Sequence, residues 1–380
     1  MENVEDKRYL DAFNRIGKND TQNVFTPPRL IRRMLSRMDF NNNDKVLVWY
    51  NIEFLVYLVK EIGLSPKNIY IYTNTQDKLI LEKQGYNVVY QENIDFDKIK
   101  NQFLDMKFDV VLGNPPFQKN LDSGHKSVDN PWAKFIYLSS NLIKDNGYVV
   151  MISPDGWCSP TYDIQKGNLS IFRDVFKNNN LIYVAFDDIV KPYFQKGTSF
   201  SYFLFQKSKY SGTTIFETLG EKFEIDIRNL FFIPKNINSI SFSIHNKLLN
   251  TNSKFSFERY RKKDGGMLDE RHPHFYIPKI KFSRGLAKFE VNGDTGNSGY
   301  DVFTYSYLLQ KNENLDSALS VLNSKLYRFV LNQKWNQYFT KYIPNSVHKP
   351  NLDKIYMDEE IYEIFNLTQD EINFIESNVK

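Results

Sequence analysis

A single cysteine, Cys158, stands in the whole sequence of 380 residues. It has no partner for a disulfide, and a zinc site built on cysteine is excluded. Histidine is almost as scarce, at five. His272 and His274 flank Pro273 with no cysteine nearby and no acidic partner at metal spacing, so a surface turn is expected there and no metal centre. An excess of either charge is also missing: 49 basic against 45 acidic residues leave a formal net charge of +4. A nucleic-acid surface must then be a local patch rather than a field over the whole molecule. No apolar run nears the ~20 residues that cross a bilayer. The opening "MENVEDKRYLDAF" lacks the apolar core of a signal peptide. A soluble, cytoplasmic protein with no membrane association is the expectation. Aromatic residues, by contrast, are plentiful: 31 Phe and 24 Tyr in a chain that is 41% hydrophobic. That supply can fill a core or stack on bases, and it argues against disorder.

The length allows two domains. Over residues 1–230, short β-rich runs alternate with helical patterns. "PPRLIRRMLSRM" places Leu30, Ile31, Met34, Leu35 and Met38 at helical spacing behind prolines suited to a helix start. "KVLVWY", "NIYIYT", "YNVVY", "KFDVVLG" and "YVVMIS" read as strands. "EFLVYLVKEIG", "TQDKLILEKQG" and "WAKFIYLSSNLIKDNG" read as the intervening helices, stopped at Gly63, Gly85 and Gly147. Helix "LSIFRDVFKNNN", strand "LIYVAFDD" and a hairpin-like pair ending in "SFSYFLFQK" follow. This order predicts an α/β fold with a doubly wound, Rossmann-like parallel sheet and its sites at the C-terminal strand ends. The period becomes mixed after the turn-rich "SKYSGTT". The expected division is a first domain over residues 1–215 and a second, smaller α+β domain over 216–380.

One loop carries recognisable chemistry. In "VVLGNPPFQ", Asn114 follows an apolar strand directly and so falls at its C-terminal lip. Pro115 and Pro116 fix their own φ and remove two N–H donors, and each restricts the residue before it. The turn therefore presents acceptors, the Asn114 side-chain oxygen and the Pro115 carbonyl. Two fixed acceptors suit a planar amino group with two N–H donors. Holding both hydrogens favours a tetrahedral nitrogen and aims its lone pair at an electrophilic methyl, an orientation that removes much of a barrier. Phe117 would stack on the base, a contact worth roughly 1–3 kcal/mol. The bland alternative is a rigid turn and nothing more.

The Asn-Pro-Pro-Phe stretch resembles the Asn-Pro-Pro-Tyr/Phe motif of S-adenosylmethionine-dependent amino methyltransferases. The order of the other features resembles the γ-type adenine-N6 DNA methyltransferases, including the methylases of Eco57I-like and TaqI-like restriction–modification systems. "NVFTPPRLIRRML" is similar to their N-terminal cofactor segment, which implies Phe25, Thr26 and Pro27 as cofactor contacts. "YQENIDF" is similar to the segment that meets the cofactor adenine, implying Asp95 and Phe96. The helix–strand run to "SPDGW" and the hairpin "IVKPYFQKGTSFSYFLFQK" also match, the hairpin's Phe194 or Tyr193 implied to pack on an extruded base. "LNSKLYRFVLNQKW" and "IPNSVHKPNL" resemble the segment that closes the target-recognition domain. The resemblance implies site-specific methylation of a flipped adenine in double-stranded DNA, S-adenosylmethionine as cofactor, and a role in restriction–modification or anti-restriction beside a separate restriction endonuclease. Catalysis would fall to Asn114, Pro115, Pro116 and Phe117. The same tetrapeptide occurs in RNA and protein amino methyltransferases. A cytosine-C5 enzyme is disfavoured because Cys158 follows a tryptophan and reads as a small buried residue.

Glycine is missing where the family needs it. The first strand and loop normally read Asp/Glu-Pro-x-x-Gly-x-Gly, letting the backbone approach the cofactor. Here "VLVWYNIEFLVYL" has Val48 in place of the acid, Trp49 in place of the proline, and no glycine. "IYIYTNTQD" lacks an immediate acid, leaving Asn74 or Asp77. One reading is a divergent enzyme that holds the cofactor through Thr26, Asn51, Glu53 and Asp95. The other is a catalytically inactive, methyltransferase-like DNA-binding or specificity subunit.

The second half interleaves basic and aromatic residues, as in "FERYRKKDGG" and "ERHPHFYIPKIKFSRG". Arg259, Arg261, Lys262 and Lys263 are candidate phosphate contacts, and Arg271 and Arg284 candidate base contacts. Each alone reads as solvated surface; together they read as a nucleic-acid face. "VNGDTGNSG" lacks the strand-to-helix setting of a phosphate loop and reads as a flexible loop. "SPDG" at 153–156 is a pocket wall or a plain turn. "MDEEIYEIFNLTQDEINFIE" reads as a capping or partner-facing helix. Too little chain precedes the methylase signature for a fused nuclease, which is not expected.

Overall fold

A computed structural model describes residues 25–74, 78–117, 131–158, 170–194, 199–218, 220–230, 232–234, 237–249, 253–256, 258–259, 274–277, 290–292, 305–332 and 347–379. The chain divides into two compact units. The first runs through Trp157 and again up to Arg228; the second takes Cys158 and the chain from Asn229 onward.

The first unit is built on one nine-stranded sheet. Helix α1 (Pro28–Leu35) leads into β1 (Val46–Trp49), α2 (Glu53–Lys60), β2 (Ile69–Thr73), α3 (Lys78–Lys83), β3 (Asn87–Tyr90), α4 (Phe96–Gln102) and β4 (Phe108–Gly113). After α5 (Pro131–Leu142) come β5 (Ile143–Pro154), a π-type turn (Ile171–Phe176), β6 (Asn180–Ala185), α6 (Asp187–Val190), β7 (Phe200–Gln206), β8 (Thr214–Glu217) and β9 (Lys222–Ile225). Their spatial order is β3-β2-β1-β4-β5-β7-β6-β8-β9. The chain therefore starts at β1, winds outward to β3, and returns to the other side of β1 with β4. Folds with such a reversal bind ligands beyond the C-terminal ends of the strands that flank it, here β1 and β4.

Alternate residues set the two layers. Val46 and Val48 of β1, Ile69 and Ile71 of β2, and Val110 and Leu112 of β4 share one core cluster with Leu30, Ile31 and Met34 of α1 and Phe54 and Leu58 of α2. On the opposite face, the Trp49 indole donates to Ser139 Oγ of α5 at 2.8 Å, and its ring lies 5.0 Å from Phe135. Helix α1 is tied at its far end too. Arg33 and Arg37 both reach the buried Glu217 of β8, at 3.0 and 3.9 Å, and the Arg37 guanidinium lies 3.7 Å over the Tyr183 ring.

The sheet is mostly parallel, and the one strand set between two antiparallel neighbours, β7 between β5 and β6, agrees with the hairpin-like reading of the segment ending in "SFSYFLFQK", since antiparallel neighbours need no crossover helix. It departs from the sequence expectation in particular places. The α5 helix ends at Leu142, not Gly147, because Ile143 already pairs with Phe108 of β4, and Asn146 then takes a left-handed φ of 63°. There the Asn146 N–H donates to Lys207 C=O, drawing the segment into the sheet. The first unit extends to Arg228 because β8 pairs in parallel with β6 and β9 closes on β8.

The second unit has a four-stranded antiparallel sheet, in the order β10 (Glu258–Arg259), β13 (Tyr305–Leu308), β11 (His274–Ile277), β12 (Glu290–Asn292). His274, expected in a turn, opens β11 and pairs with Leu308. The helices are α7 (Ser239–Leu249), α8 (Leu315–Asn323), α9 (Lys325–Asn332), α10 (Asp358–Ile364) and α11 (Gln369–Asn378). The acidic tail is two helices where one was expected: Asn366 is left-handed and Thr368 with Glu371 forms a capping box that restarts the chain. His245 of α7 is wholly buried between Phe232 and Phe329, and burial pushes its imidazole down to about 3.

Gly113 marks where packing is tightest. It pairs with Trp49 across β1 and β4, its φ is +150°, and a Cβ there would lie 2.6 Å from the Trp49 carbonyl oxygen. Gly113→Ala is expected to cost about 1–3 kcal/mol of stability, read as a lower urea midpoint. An unchanged midpoint would contradict this packing.

Candidate functional site

At the β1/β4 reversal three segments meet in one hydrogen-bonded ring. Asn114 leaves β4 directly after Gly113, and Asn114, Pro115 and Pro116 are all buried. The main-chain N–H of Asn114 donates to Oδ1 of Asn51, the second residue past β1, at 2.9 Å. Asn51 Nδ2 donates to Glu53 Oε1 at 3.0 Å. The same carboxylate oxygen receives the Thr26 N–H at 2.7 Å. Asn114 Nδ2 closes the circuit on Thr26 Oγ1 at 3.2 Å. None of the four residues is more than 3% exposed.

Local sequence explains each placement. Pro27 takes the extended N-cap conformation ahead of Pro28 at the first turn of α1, which leaves Thr26 outside the helix and facing the ring. Tyr50 reverses the chain after β1 with a φ of 65°, a conformation that glycine adopts at lower cost. Its ring is held 5.1 Å from Tyr72 and 5.7 Å from Phe135. The aromatic group Trp49, Tyr50, Tyr72 and Phe135 therefore fills the space beside β1 and β2, and a glycine loop would not supply that filling. Glu53 begins α2, and its burial pushes the carboxyl up to about 7, against the lowering effect of the Thr26 and Asn51 hydrogen bonds.

The other candidates fall into three groups. Asn74 lies half-buried just past β2, while Phe25 and Pro27 flank Thr26. Asp95 is the N-cap of α4, accepting from the Asp97 and Lys98 N–H groups at 3.1 Å each. Phe96 follows it, half-buried, 4.9 Å from Phe135. On the other side of Asn114, Phe117 is half-buried and lies 4.7 Å from Phe200 at 36°. Phe194 packs on Phe200 in turn at 5.9 Å, so the two expected base-stacking rings are joined through a third. Phe200 was not singled out in the sequence, although an aromatic opening the strand after the Phe194 turn was a usable signal. In "SPDG", Asp155 is buried at the end of β5 and starts a 3-10 turn, and Cys158 is buried. The backbone of Arg259 lies in β10. Its side chain, and Arg261, Lys262, Lys263, Arg271, His272, Arg284 and Asp77, lie outside the described residues. Among the described residues, no group of three His, Cys, Asp or Glu is placed to hold a metal ion, and no helix is long and apolar enough to cross a membrane.

The fold and this loop define an α/β protein of doubly wound, mostly parallel type with an Asn-Pro-Pro-Phe loop at its topological switch point. Over residues 51–190 the chain matches the model of the Eco57I restriction-modification methylase family. A curated relative from Mycoplasma pneumoniae (strain ATCC 29342 / M129), described as an uncharacterized adenine-specific methylase, is 29% identical over 186 residues. That match covers 44% of this chain and 40% of the relative, so the chain spans well under half of the relative's length. Among solved structures, a modification subunit of a putative type I restriction enzyme from Vibrio vulnificus YJ016 is similar at 16% identity and a TM-score of 0.41, over 57% of this chain and 51% of that one. The type IIG restriction endonuclease BpuSI is similar at 10% identity and a TM-score of 0.44, over 95% of this chain and 62% of that one.

Glu53 gives this site a pH signature. The folded chain keeps its carboxyl proton up to about pH 7, whereas the unfolded chain releases it near 4.5. The stability held by the neutral form is therefore complete below the lower value and lost as pH rises through the upper one. Between about pH 5 and about pH 8, wild type should lose on the order of 3 kcal/mol relative to Glu53→Gln, measured by denaturant unfolding of both proteins. A difference independent of pH would contradict the assignment.

Proposed function

We propose that the chain is a site-specific DNA adenine-N6 methyltransferase of the restriction–modification kind, using S-adenosylmethionine and acting on an adenine flipped from the duplex. The observation that carries this reading is the hydrogen bond from Asn114 to Thr26, which joins the Asn-Pro-Pro-Phe loop to the Phe-Thr-Pro segment at the switch point. The likeness of residues 51–190 to the Eco57I methylases and the relative's adenine-specific description support the substrate class.

The residues present fit the cofactor. Asn74, Asp95 and Phe96 offer an amide, a carboxylate and an aromatic face, the chemistry that a ribose diol and a purine require, and all three are half-buried. Phe25, Thr26 and Pro27 would meet its other end. When bound, the cofactor supplies an electrophilic methyl group on a sulfonium sulfur.

The chain's own residues then do the following. With its amide nitrogen engaged by Thr26, Asn114 turns its side-chain oxygen to acceptor duty. That oxygen and the Pro115 carbonyl accept the two amino hydrogens of the adenine, localising the nitrogen lone pair. Phe117 stacks on the base with Phe200 behind it, offsetting the few kcal/mol that flipping costs. With the lone pair so held toward the methyl donor, the amino proton would pass to solvent after transfer, so no strong base among these residues is needed. Phe194 of the first unit would pack near the extruded base, and the second unit would select the site, with Arg259, Arg261, Lys262, Arg271 and Arg284 reaching phosphates and base edges.

Incubation with methyl-labelled S-adenosylmethionine and unmodified DNA should place label in adenine. Asn114→Ala should lower transfer at least about 100-fold while DNA affinity, read by gel shift, is kept. Retained DNA binding with no label in wild type would favour the non-catalytic DNA-binding subunit instead, a reading motivated by the glycine-free loop. Label in RNA or protein but not in DNA would move the substrate class.

A further inference from the structure

We propose that Asn51 and Glu53 are positioning residues that act through Asn114, so that the polar loop after β1 holds the reacting loop in place and does not contact the cofactor itself. The role in methyl transfer rests on the function proposed above; the positioning does not.

The ring fixes Asn114 at two points. Its main-chain N–H is held by Asn51, 63 residues away in sequence, and its side-chain amide by Thr26, 88 residues away. Holding both leaves the Asn114 side chain little freedom about either of its torsions, so the direction of its oxygen is set before any substrate arrives. The amide of Asn51 is itself fixed. Its oxygen faces a donor and its nitrogen faces the Glu53 carboxylate, so turning it over would set donor against donor and acceptor against acceptor. Glu53 Oε1 gathers the Asn51 and Thr26 donors onto one atom. These partners are protein groups, and both side chains are as buried as the strand beside them. A glycine loop lets the backbone approach a ligand and adds no side-chain contacts. Here Trp49 and Tyr50 stiffen the strand end by packing, and Asn51 and Glu53 use that stiffness to brace β4's loop.

The test uses the full chain with Asn51→Ala, Glu53→Ala, Glu53→Gln and Thr26→Val. In hydrogen–deuterium exchange, the peptide carrying the Asn114 amide should exchange on the order of tenfold faster in Asn51→Ala, while β2 and β3 stay unchanged. In methyl transfer, kcat should fall about 100-fold with KM for S-adenosylmethionine unchanged. Glu53→Gln, which keeps an acceptor oxygen, should regain part of what Glu53→Ala loses. Thr26→Val keeps volume and main-chain N–H, so it tests the Asn114 amide contact even where a ring variant fails to fold; it too should lower kcat. Unchanged exchange at Asn114 in Asn51→Ala, or a rise in KM matching the loss in kcat/KM, overturns the proposal and makes Asn51 a cofactor contact. Were wild type to transfer no methyl at all, the function reading would fall, and the exchange measurement would still decide the positioning.

Discussion

The carboxyl group of Glu53 is the point on which the site depends. It lies at the start of α2 under the Phe-Thr-Pro segment, and one of its oxygens receives two donors from different loops. Hydrogen bonds to a carboxylate in a dry setting are individually strong, of order 1.5–3 kcal/mol, but burial opposes the charge they would stabilise. Burial wins, and the group is pushed up to about 7. The outcome is a carboxyl that is divided between its neutral and charged forms near pH 7 and acts as a node between loops.

Around that node the sheet supplies rigidity from both faces. On one face α1 is held at its start by Thr26 and at its far end by Arg33 and Arg37 on Glu217, so the segment that touches Asn114 cannot swing as a free terminus. On the other face the Trp49 indole is pinned to Ser139. Gly113 then lets β4 approach the Trp49 backbone closely enough for Asn114 to reach Asn51. The absence of glycine after β1 and its presence at the end of β4 are two sides of one packing arrangement: the bulk sits on β1, and β4 makes room for it.

Much of this was legible in the sequence. The central strands "KVLVWY", "KFDVVLG" and "YVVMIS" announce themselves by apolar runs, because strands buried on both faces need no polar side. The Asn-Pro-Pro-Phe loop was placed by the strand before it. What was not legible depends on contacts distant in sequence. The early end of α5 at Leu142 and the addition of β8 and β9 to the first unit are both set by neighbouring strands, which local periodicity does not report. The same holds for Asn51 and Glu53. Their polarity marked them as functional, but only the fold shows that they turn toward Asn114 and Thr26. Phe200 escaped notice because an aromatic inside an apolar strand looks like any other core residue.

The central claim is that a methyl donor can be held where the usual glycine loop has been replaced by aromatic and polar side chains. Calorimetric titration of S-adenosylmethionine into the full chain tests it most directly. Saturable binding at one site per chain, weakened by Asp95→Ala, is the expected result. A titration with no heat of binding, on a protein that is folded by its unfolding transition, would contradict it.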